Sequence, residues 1–404
     1  MGATLCLSSP SDGFALGPQR SKTDSASRFR TIDGLRGIAV LAVMLYHFDL
    51  AVKLATDKWL PRPLEWVAAH GGNGVDIFFV ISGFVIAYSV RNGSYTFGYL
   101  ARFMVRRSIR LDPPYWVAIA IELALLALTP VFFPSIRTPV VSVAQVLSHL
   151  IYAQNLLGYG DLDPVFWTLC FEVQFYSFFV GSLVVWQAAR RLRLGRSVAV
   201  AYFGAFFLLS LGLRYGAVNI PHRGLALGNW FEFFLGVLTW WTISRKVSPQ
   251  WLGAALIAAT AATLAAHVEV IQLMPVAVSL LLLVVAWRGA LETFLGGAVF
   301  QFFGRISYSL YLFHAPIGWR WISLLERVHG GRIGPVFAWF EFASAVAVTV
   351  GISAVTWRLI ENPSMKLSKR IRLQQRERSS GALVPQPEGV LDNTAPPAFV
   401  DSSA

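Results

Sequence analysis

Ten apolar runs of about twenty residues, separated by short clusters of Arg and Lys, constrain this chain more than any other feature. In a bilayer core every backbone polar group has to be satisfied within the protein, so runs of this length fold as helices. They fall at about 32–50, 74–91, 113–133, 164–187, 197–214, 225–243, 251–267, 270–287, 299–321 and 336–360. Of the 404 residues 55% are hydrophobic and 14% charged, and the mean hydropathy is +0.56. Those values exclude an ordinary soluble domain. The fold class expected is all-α, a polytopic integral membrane protein of about ten helices.

The net charge of +12 does not point to nucleic acid, because the basic residues sit in short loops rather than on one domain. Arg28 and Arg30 precede the first run. Arg102, Arg106, Arg107 and Arg110 follow the second, Arg190, Arg191, Arg193 and Arg196 the fourth, and Arg245 and Lys246 the sixth. Lys366, Lys369, Arg370 and Arg372 follow the tenth. Every second loop is therefore basic, which places both termini in the cytoplasm. Residues 1–30 read as a flexible cytoplasmic leader without the apolar core of a signal peptide, 31–363 as the membrane domain, and 364–404 as a basic and then disordered tail. The stretch 141–158 is broken by Gln145, His149, Gln154 and Asn155 and reads as a re-entrant or surface helix. YLARFMVRRSIR, residues 99–110, reads as an interfacial helix ahead of the third span. Cys6 and Cys170 form no disulfide framework, and no His, Cys or carboxylate set has metal-ligand spacing.

The first span, TIDGLRGIAVLAVMLYHFDL, carries Asp33, Arg36 and His47. Ionisable side chains at such depth are rarely kept without a use. Arg36 and His47 are eleven residues apart, so they share one helix face and lie roughly 16 Å apart along it. A buried pair that only locks helices together is the structural alternative. With the termini inside, Arg36, Arg106, Arg107, Arg110 and Arg305 form a cationic inner layer suited to a phosphate-bearing ligand. Plain positive-inside anchoring is the alternative for the loop arginines. His47, Asp76, Glu172, Glu232 and His314 form an outer layer able to move a proton. Ser307, Tyr311 and His314 follow at i, i+4 and i+7, and Glu172 and Tyr176 at i, i+4, so each set shares a stripe facing the bundle, as pocket wall or as helix-to-helix glue. Glu122 and Glu232 have no partner in sequence beyond Asn229, one turn from Glu232. Ser82 in ISGF lacks a nucleophile-elbow signature.

Six ordered segments resemble the acyltransferase 3 family of integral membrane O-acyltransferases: TIDGLRGIAVLAVMLYHF, GVDIFFVISGF, RRSIRLDPPYW, FWTLCFEVQFY, GRISYSLYLFHAPI and RLIENP, spanning roughly 30–363. The resemblance implies transfer of an acyl group, acetyl by family precedent, from cytosolic acyl-CoA to a hydroxyl of a cell-surface glycan, glycolipid or glycosylated metabolite. By position it makes His47 the essential histidine, Arg36 its partner, and Arg107 and Arg110 the paired arginines on the cytoplasmic side; these three arginines and Arg106 are the expected acyl-CoA contacts. Glu172 matches the family's acid, and Asp33 joins His47 and Glu172 as a catalytic candidate. Asp76, Trp167, Tyr176, Ser307, Tyr311 and His314 are the expected substrate pocket. Asp112, Thr168 and Cys170 depart from the commoner residues at their positions. The resemblance further implies the bacterial cytoplasmic membrane, no bound cofactor, and an enzyme that acts alone or with a separate periplasmic transferase partner. A transporter or flippase of a lipid-linked or small anionic substrate is the alternative reading of ten helices with charges at mid-depth.

Overall fold

The computed structural model describes residues 29–53, 56, 59–132, 134, 138–190, 196–220, 224–330 and 333–373. The expected leader and the expected disordered tail lie outside this set, apart from the residues next to the membrane domain. The described residues are helical and contain no strand. In chain order the helices are α1 (Arg30–Val52), α2 (Arg62–His70), α3 (Gly74–Ser89), α4 (Phe97–Phe132), α5 (Val143–Leu150), α6 (Trp167–Arg190) and α7 (Arg196–Arg214). They continue as α8 (Trp230–Ile243), α9 (Pro249–Ala265), α10 (Met274–Trp287), α11 (Ala298–Phe313), α12 (Arg320–His329), α13 (Pro335–Thr356) and α14 (Asn362–Ser368).

Each of the ten expected spans falls on a helix, and the protein is a polytopic helical membrane protein. By length and composition, seven helical stretches among the described residues suffice to cross a bilayer. The other three spans fall on α8, α9 and α11, of 14, 17 and 16 residues. The 299–321 run is not one regular helix: a π-helical turn, His314–Trp319, separates α11 from α12. Residues 99–110 are not a separate interfacial helix either. They open the 36-residue α4, which runs through Pro113 and Pro114 without ending. Prolines are tolerated in membrane helices because neighbouring groups re-satisfy the freed carbonyls. The 141–158 stretch holds only the eight-residue α5, too short to cross, with Ser142 Oγ accepting from the Gln145 N–H at its N-terminus.

Two helix pairs pack most extensively, α1 with α11 and α3 with α8. Glycine makes both possible. A Cβ on Gly304 of α11 would collide with the Asp33 carbonyl of α1, and one on Gly83 or Gly236 would collide with the carbonyls of Phe233 or Val80 across the α3–α8 contact. Small residues at such crossings let two backbones approach closely, the main source of attraction between helices in lipid. Each pair anchors its own apolar core. One surrounds α3, α6, α8 and α10; the other surrounds α1, α4, α11 and α13. Val75, Phe78 and Val173 pack against both. Val75 and Phe78 there border a small space together with Arg36, Ser82, Thr168, Glu172, Ser307 and Tyr311.

Candidate functional site

Because α1 lies tightly on α11, its polar face meets the stripe on α11. His47 Nδ1 lies 3.0 Å from the Val43 carbonyl oxygen, one turn back, and 3.1 Å from His314 Nε2. His314 is fully buried at the start of the π turn, and its Nδ1 lies 2.8 Å from the Tyr311 carbonyl oxygen. The extra residue of a π turn shifts the side chains that follow it, and such turns recur at functional sites. Trp319, at the end of this one, brings its ring to 6.4 Å from the His47 ring.

At the basic end of the bundle a cavity of about 530 Å³ is lined by Arg36, Arg106, Arg107, Arg110, Arg305 and Lys369, with Asp33, Ser307 and Glu361. Arginines with few carboxylates among them have the chemistry to hold a multiply charged anion. Arg107 is held by two aromatic faces, Tyr176 at 5.4 Å and Phe103 at 5.6 Å. Glu361, in RLIENP, accepts from the Ser309 hydroxyl at 2.6 Å and from its backbone N–H at 3.2 Å, which fixes a second π-helical turn, Trp357–Glu361, and α14 after it against α11.

Arg36 and Ser307 also line a much smaller space of about 40 Å³ with Ser82, Thr168, Glu172, Tyr308 and Tyr311. Ser82 donates to Glu172 at 2.9 Å, and the Thr168 and Tyr311 hydroxyls are 2.8 Å apart. The Tyr311 ring lies 5.6 Å from that of His314. A series of polar side chains thus runs from the arginine cavity to the histidine pair through a constriction.

Beyond the constriction a third cavity, of about 630 Å³, is lined by Glu122, Asp163, Trp319, Arg320 and Arg327 on its polar side and by Leu125, Leu126, Leu128, Leu162 and Leu324 on its apolar side. Arg320 grips Glu122 with both terminal nitrogens, at 2.6 and 2.7 Å. Asp163, in the loop before α6, accepts from the Val165 N–H at 3.1 Å. Burial pushes its carboxyl up to about 7, and nearby Glu122 pushes the same way.

The expected site residues divide into two groups. Arg36, Arg106, Arg107, Arg110, Glu172, Ser307, Tyr311, His314 and His47 belong to this path, and Tyr176 supports it through Arg107. Asp33 is on α1 but at the arginine cavity, roughly 21 Å along the helix from His47, so it does not act beside the imidazole. Asp76 does not face the path. It lies beside Glu232 of α8, near Arg214, and Glu232 accepts from Asn229 at 2.9 Å. Trp167 packs on Phe79 and Phe171 and lines none of the three spaces. Sequence reasoning missed Trp319, Asp163, Arg320 and Glu361. Glu361 alone carried a signal, an acid in a recognised motif; the others gain their place through contacts across the fold.

The family model of the acyltransferase 3 type, described as an acyltransferase domain, matches residues 29–358. Nodulation protein 10 of Rhizobium leguminosarum bv. viciae is 28% identical, over 87% of this chain and 97% of its own length. An exopolysaccharide production protein of Rhizobium meliloti (strain 1021) is 28% identical over 75% of this chain and 92% of its own. An acyltransferase of Streptomyces mycarofaciens is 26% identical over 85% and 94%. No solved structure matches the chain.

Proposed function

The chain belongs to the acyltransferase 3 family and is a membrane enzyme that transfers acyl groups, and on that premise we propose that its donor is cytosolic acyl-CoA and its acceptor a hydroxyl of a glycan, glycolipid or glycosylated metabolite. The observation that carries this reading is the polar path with a cavity at each end, arginine-lined at one and acid- and tryptophan-lined at the other, with His47 close to the second. Phosphates of the donor bind Arg36, Arg106, Arg107 and Arg110. The thioester arm then extends through the constriction past Glu172, bridging the roughly 16 Å between Arg36 and His47. The acceptor enters the outer cavity, where Trp319 offers an apolar ring face and Asp163 and Glu122 offer acceptors for sugar hydroxyls.

His47 takes the proton of the acceptor hydroxyl as its oxygen attacks the thioester carbonyl. The C–S bond breaks, and the departing CoA thiolate receives the proton, so the products are an O-acyl ester and CoA thiol. In the alternative sequence, His47 first carries the acyl group and then yields it to the acceptor. An acyl-imidazole trapped by rapid quenching and found by mass spectrometry selects the second course. In this reading the protein sits in the bacterial cytoplasmic membrane with both termini inside, and a separate periplasmic transferase delivers the product where the acceptor is a polymer unit.

The test uses membranes containing the wild type or His47→Ala, supplied with radiolabelled acetyl-CoA and an extract of host glycans and glycolipids. Label in the acceptor fraction that disappears with His47→Ala is the expected result. Absence of label from acetyl-CoA and from longer acyl-CoAs, with folded protein and a complete acceptor pool, refutes the assignment of donor or acceptor.

A further inference from the structure

We propose that His314 is a positioning residue that holds His47 in its Nδ1–H tautomer, so that Nε2 is the nitrogen that reacts; the proposal rests on His47 being the proton-accepting group of the reading above. The hydrogen-bond partners decide it. The Tyr311 and Leu310 carbonyl oxygens, 2.8 and 3.3 Å from His314 Nδ1, have only lone pairs to offer. Nδ1 of His314 therefore carries the proton, which leaves Nε2 of the neutral ring an acceptor.

That acceptor lies 3.1 Å from His47 Nδ1, which is also 3.0 Å from the Val43 carbonyl oxygen. Both neighbours of His47 Nδ1 are thus acceptors, and a single proton on that nitrogen, shared between them, sets no lone pair against another. The opposite assignment sets lone pair against lone pair twice, at His314 Nδ1 with Tyr311 and at His47 Nδ1 with Val43. That arrangement keeps one hydrogen bond, from His314 Nε2–H to His47 Nδ1, but turns the contacts with the Tyr311 and Val43 carbonyls into repulsions, so it loses. The free tautomer preference of imidazole does not supply this outcome; the chain Tyr311 carbonyl, His314, His47 imposes it.

His314 does for His47 what a buried acid does in hydrolytic triads, without bringing a negative charge. It fixes which nitrogen bears the lone pair and holds the ring about one axis, and it touches no reacting atom. The stiffness comes from the fold: His314 is fully buried and opens the π turn.

Three variants and one spectroscopic measurement on the full-length protein in bilayers test this. His314→Phe removes the acceptor and keeps a ring; His314→Gln places an amide oxygen near the lost Nε2. Mispositioning a catalytic imidazole costs up to ~10⁴ in triads, and the Val43 carbonyl remains here as a second acceptor, so kcat falls about 100-fold in His314→Phe. KM for acetyl-CoA stays within about two-fold, and His314→Gln recovers to within about ten-fold of wild type. Independently of turnover, ¹⁵N spectra of histidine-labelled protein, assigned with His47→Ala, show His47 with a protonated Nδ1 and a bare Nε2. In His314→Phe that signal divides between tautomers. A wild-type His47 protonated at Nε2, or equal activity of the Phe and Gln variants, overturns the proposal. If instead the tautomer is as stated and His47→Ala keeps full acyl transfer, the reading of His47 as the reacting group fails while the positioning holds.

Discussion

The ion pair between Arg320 and Glu122 joins α12 to α4, 198 positions apart in sequence, and its two halves are unequally protected. The Glu122 side chain is 3% exposed and that of Arg320 33%. Replacing Arg320 by Met keeps the volume of the stem but leaves a carboxylate almost fully enclosed. Removing one partner of a buried pair costs about 3–5 kcal/mol, and because Glu122 borders a cavity rather than close-packed side chains, the expected loss is at the lower end, about 3 kcal/mol. Replacing Glu122 by Gln leaves a guanidinium that is one-third in the open, still faces an amide oxygen, and keeps the Pro316 carbonyl at 3.1 Å. That loss is about 1 kcal/mol. The double variant strands no charge, so it should lie closer to Glu122→Gln than to the sum of the two, giving a coupling of about 2–3 kcal/mol. Reversible unfolding of the purified protein in mixed micelles, titrated with denaturing detergent, gives all four free energies. Equal losses for the two single variants, or losses that simply add, would refute the argument that burial of the carboxylate sets the cost.

Two further outcomes follow from the same geometry. The Asp163 carboxyl, ordinarily near 3.8 and held at about 7 by burial, keeps its proton when folded over a window in which the unfolded chain has released it. Stability from this group therefore falls as pH rises from about 4 to 7, by at most about 4 kcal/mol, and Asp163→Asn, which keeps an oxygen for the Val165 N–H, should be the flatter of the two between pH 5 and 8. A wild type that gains stability over that interval relative to Asp163→Asn contradicts the sign. Gly304→Val places a side chain against the Asp33 carbonyl of a helix that cannot retreat, and should cost about 2 kcal/mol. Gly297→Val, whose Cβ meets only the Phe300 ring at 3.6 Å, is the control; equal melting temperatures for the two would sink the close-packing account.

What was readable in advance follows the range of the interaction. The helices were legible because lipid demands long apolar runs, and the arginine cavity was legible because Arg106, Arg107 and Arg110 recur within one helix whose end is basic. Arg36 and His47 were legible as a pair because helical periodicity fixes their shared face. The same logic misled for Asp76 and Trp167. A helix has several faces, and periodicity does not say which neighbour each one meets. Asp76 meets Glu232, and Trp167 meets two phenylalanines. The helix expected to end before Pro113 continues through it, a break that membrane helices tolerate.

By itself, then, the sequence determined the class of fold, the depth of each polar residue along its own helix, and the family of chemistry. Those are consequences of hydropathy, of a period of 3.6 residues, and of motifs local to one segment. The tertiary structure alone decided the partners. Close contact at Gly304 sets α1 against α11 and so turns two histidines 267 positions apart into a hydrogen-bonded pair. The fold likewise gives Glu122 its arginine and leaves a tryptophan between the histidines and the outer cavity. Partner choice depends on which helix faces come to lie against each other, and that is a property of the packed bundle as a whole.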